Sequence, residues 1–213
     1  MIGRLYAETP SLWMQTHLAE NLDEIKWVKE LFPEARSYLD VYDRFGLLGP
    51  RSVFAHCIHL DEQDRARFVA SGSAMSFCPT SNLFIGSGFF DLEAARRLGV
   101  RVGLATDVGG GTSYSMLQTL AEAYKVLMTH GQRLNAWRGL WLATLGGAQC
   151  LSLDDKIGNF ASGKEADCVV LDLAATPVLD RRTQVAKTLE ERLFALMMLG
   201  EDRVVARTYI MGE

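Results

Sequence analysis

Two rhythms of apolar positions alternate along the chain. Short runs of small or branched apolar residues are followed by stretches whose apolar positions recur every three to four residues. The first kind predicts strands covered on both faces, and the second predicts amphipathic helices. A strand is expected at Leu12–Thr16, then a helix in "NLDEIKWVKELF", where Leu22, Ile25, Val28 and Leu31 form one stripe. Asn21 suits the N-cap of that helix, Glu24 the capping-box position, and Pro33 its end. "SYLDVYDRFGLL" reads as a helix closing on Gly46. The strand "SVFAH" follows, then the helix "DEQDRARFVASG", with acids in its first turn where the helix dipole favours them. The strand "AMSFCP" leads into a polar loop, "TSNLFIGSG", then the helix "DLEAARRLG" and the strand "RVGLATD". "VGGGTS" reads as a tight turn, because glycine admits the dihedrals such a turn needs. A long helix is expected at about Tyr114–His130, and further helices in "NAWRGLWLATLGGAQCLS".

Strands and helices that alternate in this way build parallel βαβ units, so an α/β fold is predicted. The character changes after Leu153. "KIGNFASGKEADCVVLDL" reads as two short strands around a Gly-Lys turn. After "AATPVLDRRT" come a helix, "KTLEERLFALMML", and a last strand in "RVVARTYIMGE". The expected division is a main body at residues 1–153 and a small β addition at 154–213, with one helix returning to the body.

Composition narrows the function. The chain has 213 residues, 48% of them hydrophobic and 23% charged, which fits a packed core. A net charge of -4 argues against a nucleic-acid partner, and no cationic amphipathic helix argues for a membrane surface. The longest apolar stretches, "LFALMMLG" and "WLATLGGA", are too short to span a bilayer. The opening "MIGRLYAETPSLW" lacks a signal-peptide core, so a cytoplasmic setting is expected. Cys57, Cys78, Cys150 and Cys168 form no CxxC pair and are expected to be buried thiols.

The candidate chemistry sits at strand ends. His17, His56 and Asp107 each close an apolar strand at its carboxyl end, where parallel α/β folds place ligands and catalysis. Alternation along "RVGLATD" puts Gly103, Ala105 and Asp107 on one face, with room for a ligand beside the two small residues. Singly, each polar residue is an ordinary cap or turn residue. Together they suggest a site. Two imidazoles and a carboxylate are ligands that a catalytic zinc or iron uses, and Glu20 is placed to carry a proton beside them. His59 and His130 are assigned no role, the latter suiting a helix C-terminus.

"HLAE", "VFAHCIHL", "FCPTSNL" and "GLATDVGGGTSYSML", in this order, resemble the carboxyl-terminal half of the guanine deaminases of the amidohydrolase superfamily. "IGNFASGKEADCVVLDL" resembles that superfamily's accessory β region. The likeness covers almost the whole chain; "CPTSN" with "DVGGGTSYSM" is its more specific part. It implies a partial (β/α)8 TIM barrel, about strands 5 to 8 with their helices, plus a small C-terminal β region. It implies Zn2+ as cofactor, with iron the second choice. His17 would ligate the metal from the fifth strand, and Glu20 would be the proton shuttle. His56, on the sixth strand, would hydrogen-bond the attacking water. Asp107, on the eighth, would ligate the metal and take a proton from its water. The implied reaction is hydrolytic deamination of guanine to xanthine and ammonia, by a homo-oligomer (a dimer) acting on a small-molecule purine. The family's site also uses an HxH pair from the first barrel strand, and this sequence contains no HxH. Half a barrel would expose apolar strand edges, so low stability or pairing with another polypeptide is expected. The rival readings are an aminohydrolase for a triazine, cytosine or an adenosine derivative, and a non-catalytic remnant.

Overall fold

Four strands, β1 (Met14–Leu18), β2 (Ser52–His56), β3 (Ala74–Phe77) and β4 (Arg101–Leu104), form one parallel sheet in chain order in the computed structural model of residues 1–213. Before β1 lies α1 (Ile2–Glu8). The crossovers carry α2 (Leu22–Leu31) and α3 (Tyr38–Arg44), then α4 (Glu62–Ser71), then α5 (Pro79–Ile85) and α6 (Leu92–Leu98). After β4 come α7 (Met116–Thr129), α8 (Ala136–Ala143) and α9 (Leu145–Cys150). The chain ends with β5 (Cys168–Leu171), α10 (Pro177–Gln184), α11 (Leu189–Leu199) and β6 (Val205–Tyr209). β5 and β6 make a separate antiparallel pair. No helix is long and apolar enough to cross a membrane.

Local signals account for most boundaries. Asn21, Ser37, Asp61 and Asp91 cap α2, α3, α4 and α6, each accepting from a backbone N–H three residues on. Gly72, Gly86 and Gly99 close α4, α5 and α6 in the left-handed conformation, which glycine adopts without a Cβ penalty. The capping box on α2 is displaced by one residue. Glu24 Oε2 accepts from the N–H of Glu20 at 3.1 Å rather than from that of Asn21.

The register sorts the sheet into two faces. Thr16, Phe54, Met75 and Val102 lie side by side, and the main core of Leu18, Phe54, Phe68, Phe77, Leu104 and Leu120 forms on that face, under the helices. Phe54 is fully buried, edge-to-face with Tyr42 and with Phe68 at 5.4 Å each. The opposite face carries His17, Ala55, Ser76 and Gly103 in one row. At the amino ends of the strands α9 covers this second face, where Cys150 packs with Val53 and Ala74. A Cβ on Gly103 would meet Gly147 Cα at 3.0 Å and Cys150 Sγ at 3.3 Å. Arg101 fastens the same end, donating to Gln149 O (2.8 Å) and Pro50 O (2.9 Å).

Several expectations change. β1 runs two residues later than Leu12–Thr16, so His17 lies inside it and Leu18 ends it. The polar loop "TSNLFIGSG" is largely the helix α5, with Pro79 in its first turn and Gly86 at its end. β4 stops at Leu104, so strand alternation does not reach Asp107, and the small residue Gly103 serves the contact with α9 rather than a ligand. The tail has one strand, β5, where two were expected around the Gly-Lys turn, and α10 occupies "PVLDRRTQ". α11 joins two cores, giving Met197 to the main one and Leu196 to a smaller one with Leu179 and Val204. Cys57, Cys78 and Cys150 are buried thiols, and burial pushes Cys78 and Cys150 up to about 12; Cys168 is only half-buried.

Two outcomes follow for stability. Phe54→Ala removes a fully enclosed ring and should cost about 3–5 kcal/mol in denaturant unfolding. Glu93 ties α6 to α8, accepting from Arg138 at 2.7 Å and from Arg96 at 2.8 Å. Those two hydrogen bonds, opposed by desolvation, hold its carboxyl below the usual glutamate value. A depressed carboxylate stabilises the fold above its unfolded-state value and loses that contribution as pH falls through the folded one. Glu93→Gln should therefore cost about 0.5–1 kcal/mol near neutral pH, a figure kept small by partial exposure. The difference from the parent should shrink as pH drops below the ordinary glutamate range.

Candidate metal centre

Four residues without glycine's freedom adopt positive φ where β1, β2 and β4 hand over to their loops. They are Ala19 (φ 49°), His56 (φ 68°), Cys57 (φ 52°) and Asp107 (φ 46°). Such conformations cost on the order of 1–3 kcal/mol each and gather where a site needs them. Here those at Ala19, His56 and Asp107 accompany side chains that meet at one place.

His56 is the clearest case. It pairs in register with Leu18, a main-core residue, so simple alternation would send its ring under the helices. Its left-handed backbone instead brings the ring 5.1 Å from that of His17, which belongs to the other face. The turn at Ala19 does the same for Glu20, whose Oε2 lies 3.6 Å from His56 Nε2. Asp107 lies three residues beyond β4, and its Oδ2 is 3.8 Å from the same nitrogen. His17, His56 and Asp107 each offer one ligand atom, all within 4.8 Å of one another. His17 is open to solvent, Asp107 is half-buried and His56 is buried.

The surroundings lock these groups. His56 Nδ1 is 2.8 Å from Asn82 Oδ1 on α5. Ser87, just beyond α5, donates to Glu20 Oε1 at 2.8 Å. Tyr42 donates to the backbone carbonyl of His17 at 3.1 Å. His59 joins the strand ends, its N–H on Ala19 O (3.1 Å) and its Nε2 at 3.0 Å from Ser87 O. The "VGGGTS" turn packs tightly after Asp107. A Cβ on Gly111 would lie 2.1 Å from Thr106 O, and one on Gly110 would lie 2.8 Å from Ser81 Oγ and 3.2 Å from Asp107 Oδ2.

All four residues singled out in the sequence, His17, Glu20, His56 and Asp107, thus meet in one place. Asn82, Ser87 and His59 were assigned no role, although Asn82 and Ser87 contact His56 and Glu20 and His59 braces them through Ala19 and Ser87. For Asn82 and the adjoining Ser87 the signal was the run "PTSNLFIG", with proline where a helix starts and glycine where one ends.

Charge balance tests whether a cation suits the place. Glu20 and Asp107 are two carboxylates converging on one imidazole, and neither has a lysine or arginine partner within 4.0 Å. Two nitrogens and carboxylate oxygen are the donor set of a borderline divalent metal. The residues fit a metal cofactor.

The amidohydrolase family model matches residues 4–213. Guanine deaminase of Escherichia coli is 52% identical over all of this chain and 48% of its own length. The solved structure of the E. coli guanine deaminase superposes with a TM-score of 0.97, covering 99% of this chain and 50% of that one. A guanine deaminase from C. acetobutylicum, solved with guanine in its active site, is 30% identical with a TM-score of 0.88 over 100% of this chain and 50% of that one. The chain spans about half the length of the curated relatives it matches. With a parallel sheet, polar groups at its carboxyl ends and a family match from residue 4 onward, the chain belongs to the amidohydrolase family.

Proposed function

We propose that this chain supplies the Glu20, His56, His17 and Asp107 side of a zinc-dependent guanine deaminase. The observation that carries the reading is the convergence of three metal-type donors within 4.8 Å, with Glu20 alongside. The identity to guanine deaminases supports the substrate. The four-stranded sheet is read as strands 5 to 8 of a (β/α)8 barrel, residues 1–153 as that barrel portion, and 154–213 as the accessory β region. Parallel strands in sequential order, with the candidate site at their carboxyl ends, support this. A cytoplasmic dimer belongs to the same reading, and the four free thiols suit a reducing compartment.

His17 and Asp107 would hold the metal. When bound, it supplies a Lewis acid that makes water ionisable near neutral pH. The residues of this chain then manage protons. Asp107 takes one from the water as its oxygen adds to C2 of guanine. Glu20, held through Oε1 by Ser87, takes the other water proton at Oε2 and hands it to the ring nitrogen as C2 becomes tetrahedral. His56 Nε2 faces both carboxylates and orients the water between them. The proton held by Asp107 passes to the exocyclic amine, which leaves as ammonia and gives xanthine.

The test joins this chain to the remaining half of the E. coli guanine deaminase and measures guanine loss and metal content together. The expected result is one bound zinc and conversion of guanine to xanthine. Glu20→Gln should lower kcat by about 10²- to 10⁴-fold, the scale of general acid–base catalysis, and leave metal content unchanged. A folded, metal-loaded hybrid that spares guanine but deaminates a triazine, cytosine or an adenosine derivative would move the substrate. A folded hybrid without metal would leave a non-catalytic remnant.

A further inference from the structure

The contacts of α5 are unusual for a helix of its length. Its residues Thr80, Ser81 and Asn82 are all buried, at 5%, 0% and 1% exposure. Most buried polar atoms find partners; here Thr80 Oγ1 and Asn82 Oδ1 do, while Ser81 Oγ and Asn82 Nδ2 have none. Asn82 meets His56, and Ser87, next after the closing Gly86, meets Glu20. Thr80 donates to Thr106 O at 3.2 Å, the residue before Asp107. The segment is itself braced: Ser87 N–H donates to Asn82 O at 2.9 Å, and His59 holds Ser87 O. One short element therefore touches every loop that carries a candidate site residue beyond β1.

We propose that Asn82 and Ser87 are positioning residues, which set the ring orientation and tautomer of His56 and the rotamer of Glu20. The logic for His56 is one of donors and acceptors. With Asn82 Oδ1, which only accepts, placed toward the ring at 2.8 Å, the proton of this contact is assigned to His56 Nδ1. In the neutral ring Nε2 then carries a lone pair, aimed at the space between Glu20 and Asp107. Both carboxylates lie beyond hydrogen-bond reach of Nε2, at 3.6 Å and 3.8 Å, so the 2.8 Å contact to Asn82 is the shorter of the ring's polar contacts and opposes the pull of the two carboxylates on a proton at Nε2. Free imidazole side chains favour the opposite form, so Asn82 reverses an intrinsic preference. Ser87 works in parallel: by occupying Oε1 it leaves Oε2 as the oxygen of Glu20 that faces the ring.

The catalytic consequence rests on the deaminase reading, but the tautomer does not. The chain has four histidines, so the ring nitrogens of His56 can be identified in ¹⁵N NMR by comparison with His56→Gln. Spectra at about pH 9, well above the ordinary imidazole value, report the neutral ring. The parent chain should show Nδ1–H in excess by about tenfold, the scale of one buried hydrogen bond. Asn82→Asp keeps the accepting oxygen and should preserve that tautomer. Asn82→Ala should return His56 to Nε2–H. In the hybrid enzyme Asn82→Ala and Ser87→Ala should each lower kcat about tenfold or more, with little change in KM, and Asn82→Asp should recover part of the loss. An Nε2–H ring in the parent chain, or an Nδ1–H ring that persists in a folded Asn82→Ala, overturns the proposal. A hybrid inactive on guanine overturns the deaminase reading and leaves the NMR result standing.

Discussion

The left-handed backbone at the strand ends is the constraint on which the site depends. A β-strand sends successive side chains to opposite faces, and in this sheet one face is filled by the main core. Without a break, His56 would follow Leu18 and Phe77 under the helices, as a polar ring in an apolar layer. A positive φ at His56 moves it to the row of His17 instead. The same device at Ala19 and Asp107 lets residues outside the strands aim at the same point. None of these positions is glycine, so the strain persists against the intrinsic preference of the chain. The packed α/β body beneath supplies what holds it, from the enclosed Phe54 to the Arg101 clasp at the opposite end.

The two ends of the sheet are built for different work. At the amino ends Gly103 lets α9 come into backbone contact on the open face, and Cys150 packs with Val53 and Ala74. At the carboxyl ends the same face is left to His17 and the redirected side chains. Close packing at one end makes the sheet a rigid base, and polar groups at the other end need such a base because small displacements are costly in a preorganised site.

The sequence disclosed the site better than the backbone that makes it. His17, His56 and Asp107 were legible because each is a polar residue at the carboxyl end of a mostly apolar segment, His56 directly and the other two after a threonine, and that contrast is a property of single positions. Their faces were not legible, since alternation assumes extended backbone and the site lies where it fails. Asp107 shows the cost: it lies beyond the last residue of β4, and the apparent room beside Gly103 belongs to α9. α5 was hidden for a different reason. Threonine, serine and asparagine are weak helix formers, so "PTSN" looks like loop. Tertiary partners, His56 for Asn82 and Thr106 for Thr80, stabilise the helix that propensity disfavours. In the tail, Val169 and Val170 did mark a strand, but its partner is β6 rather than the segment before it.

Electrostatics ties these threads together. The fold pairs several of its acids with arginine, as where Arg36 donates to Asp61 at 2.7 Å and Arg44 to Asp40 at 3.0 Å. It does not do so for Glu20 and Asp107, which face each other across one imidazole. Two carboxylates that share one imidazole repel each other, more strongly in a half-buried cleft than in water. A fixed arginine would relieve this but would also fill the space and remove both groups from proton transfer. A divalent ion would relieve it from one side without filling the space beside Glu20. The absence of a built-in cation where the fold supplies one elsewhere is therefore the arrangement expected of a site that borrows its positive charge from a metal.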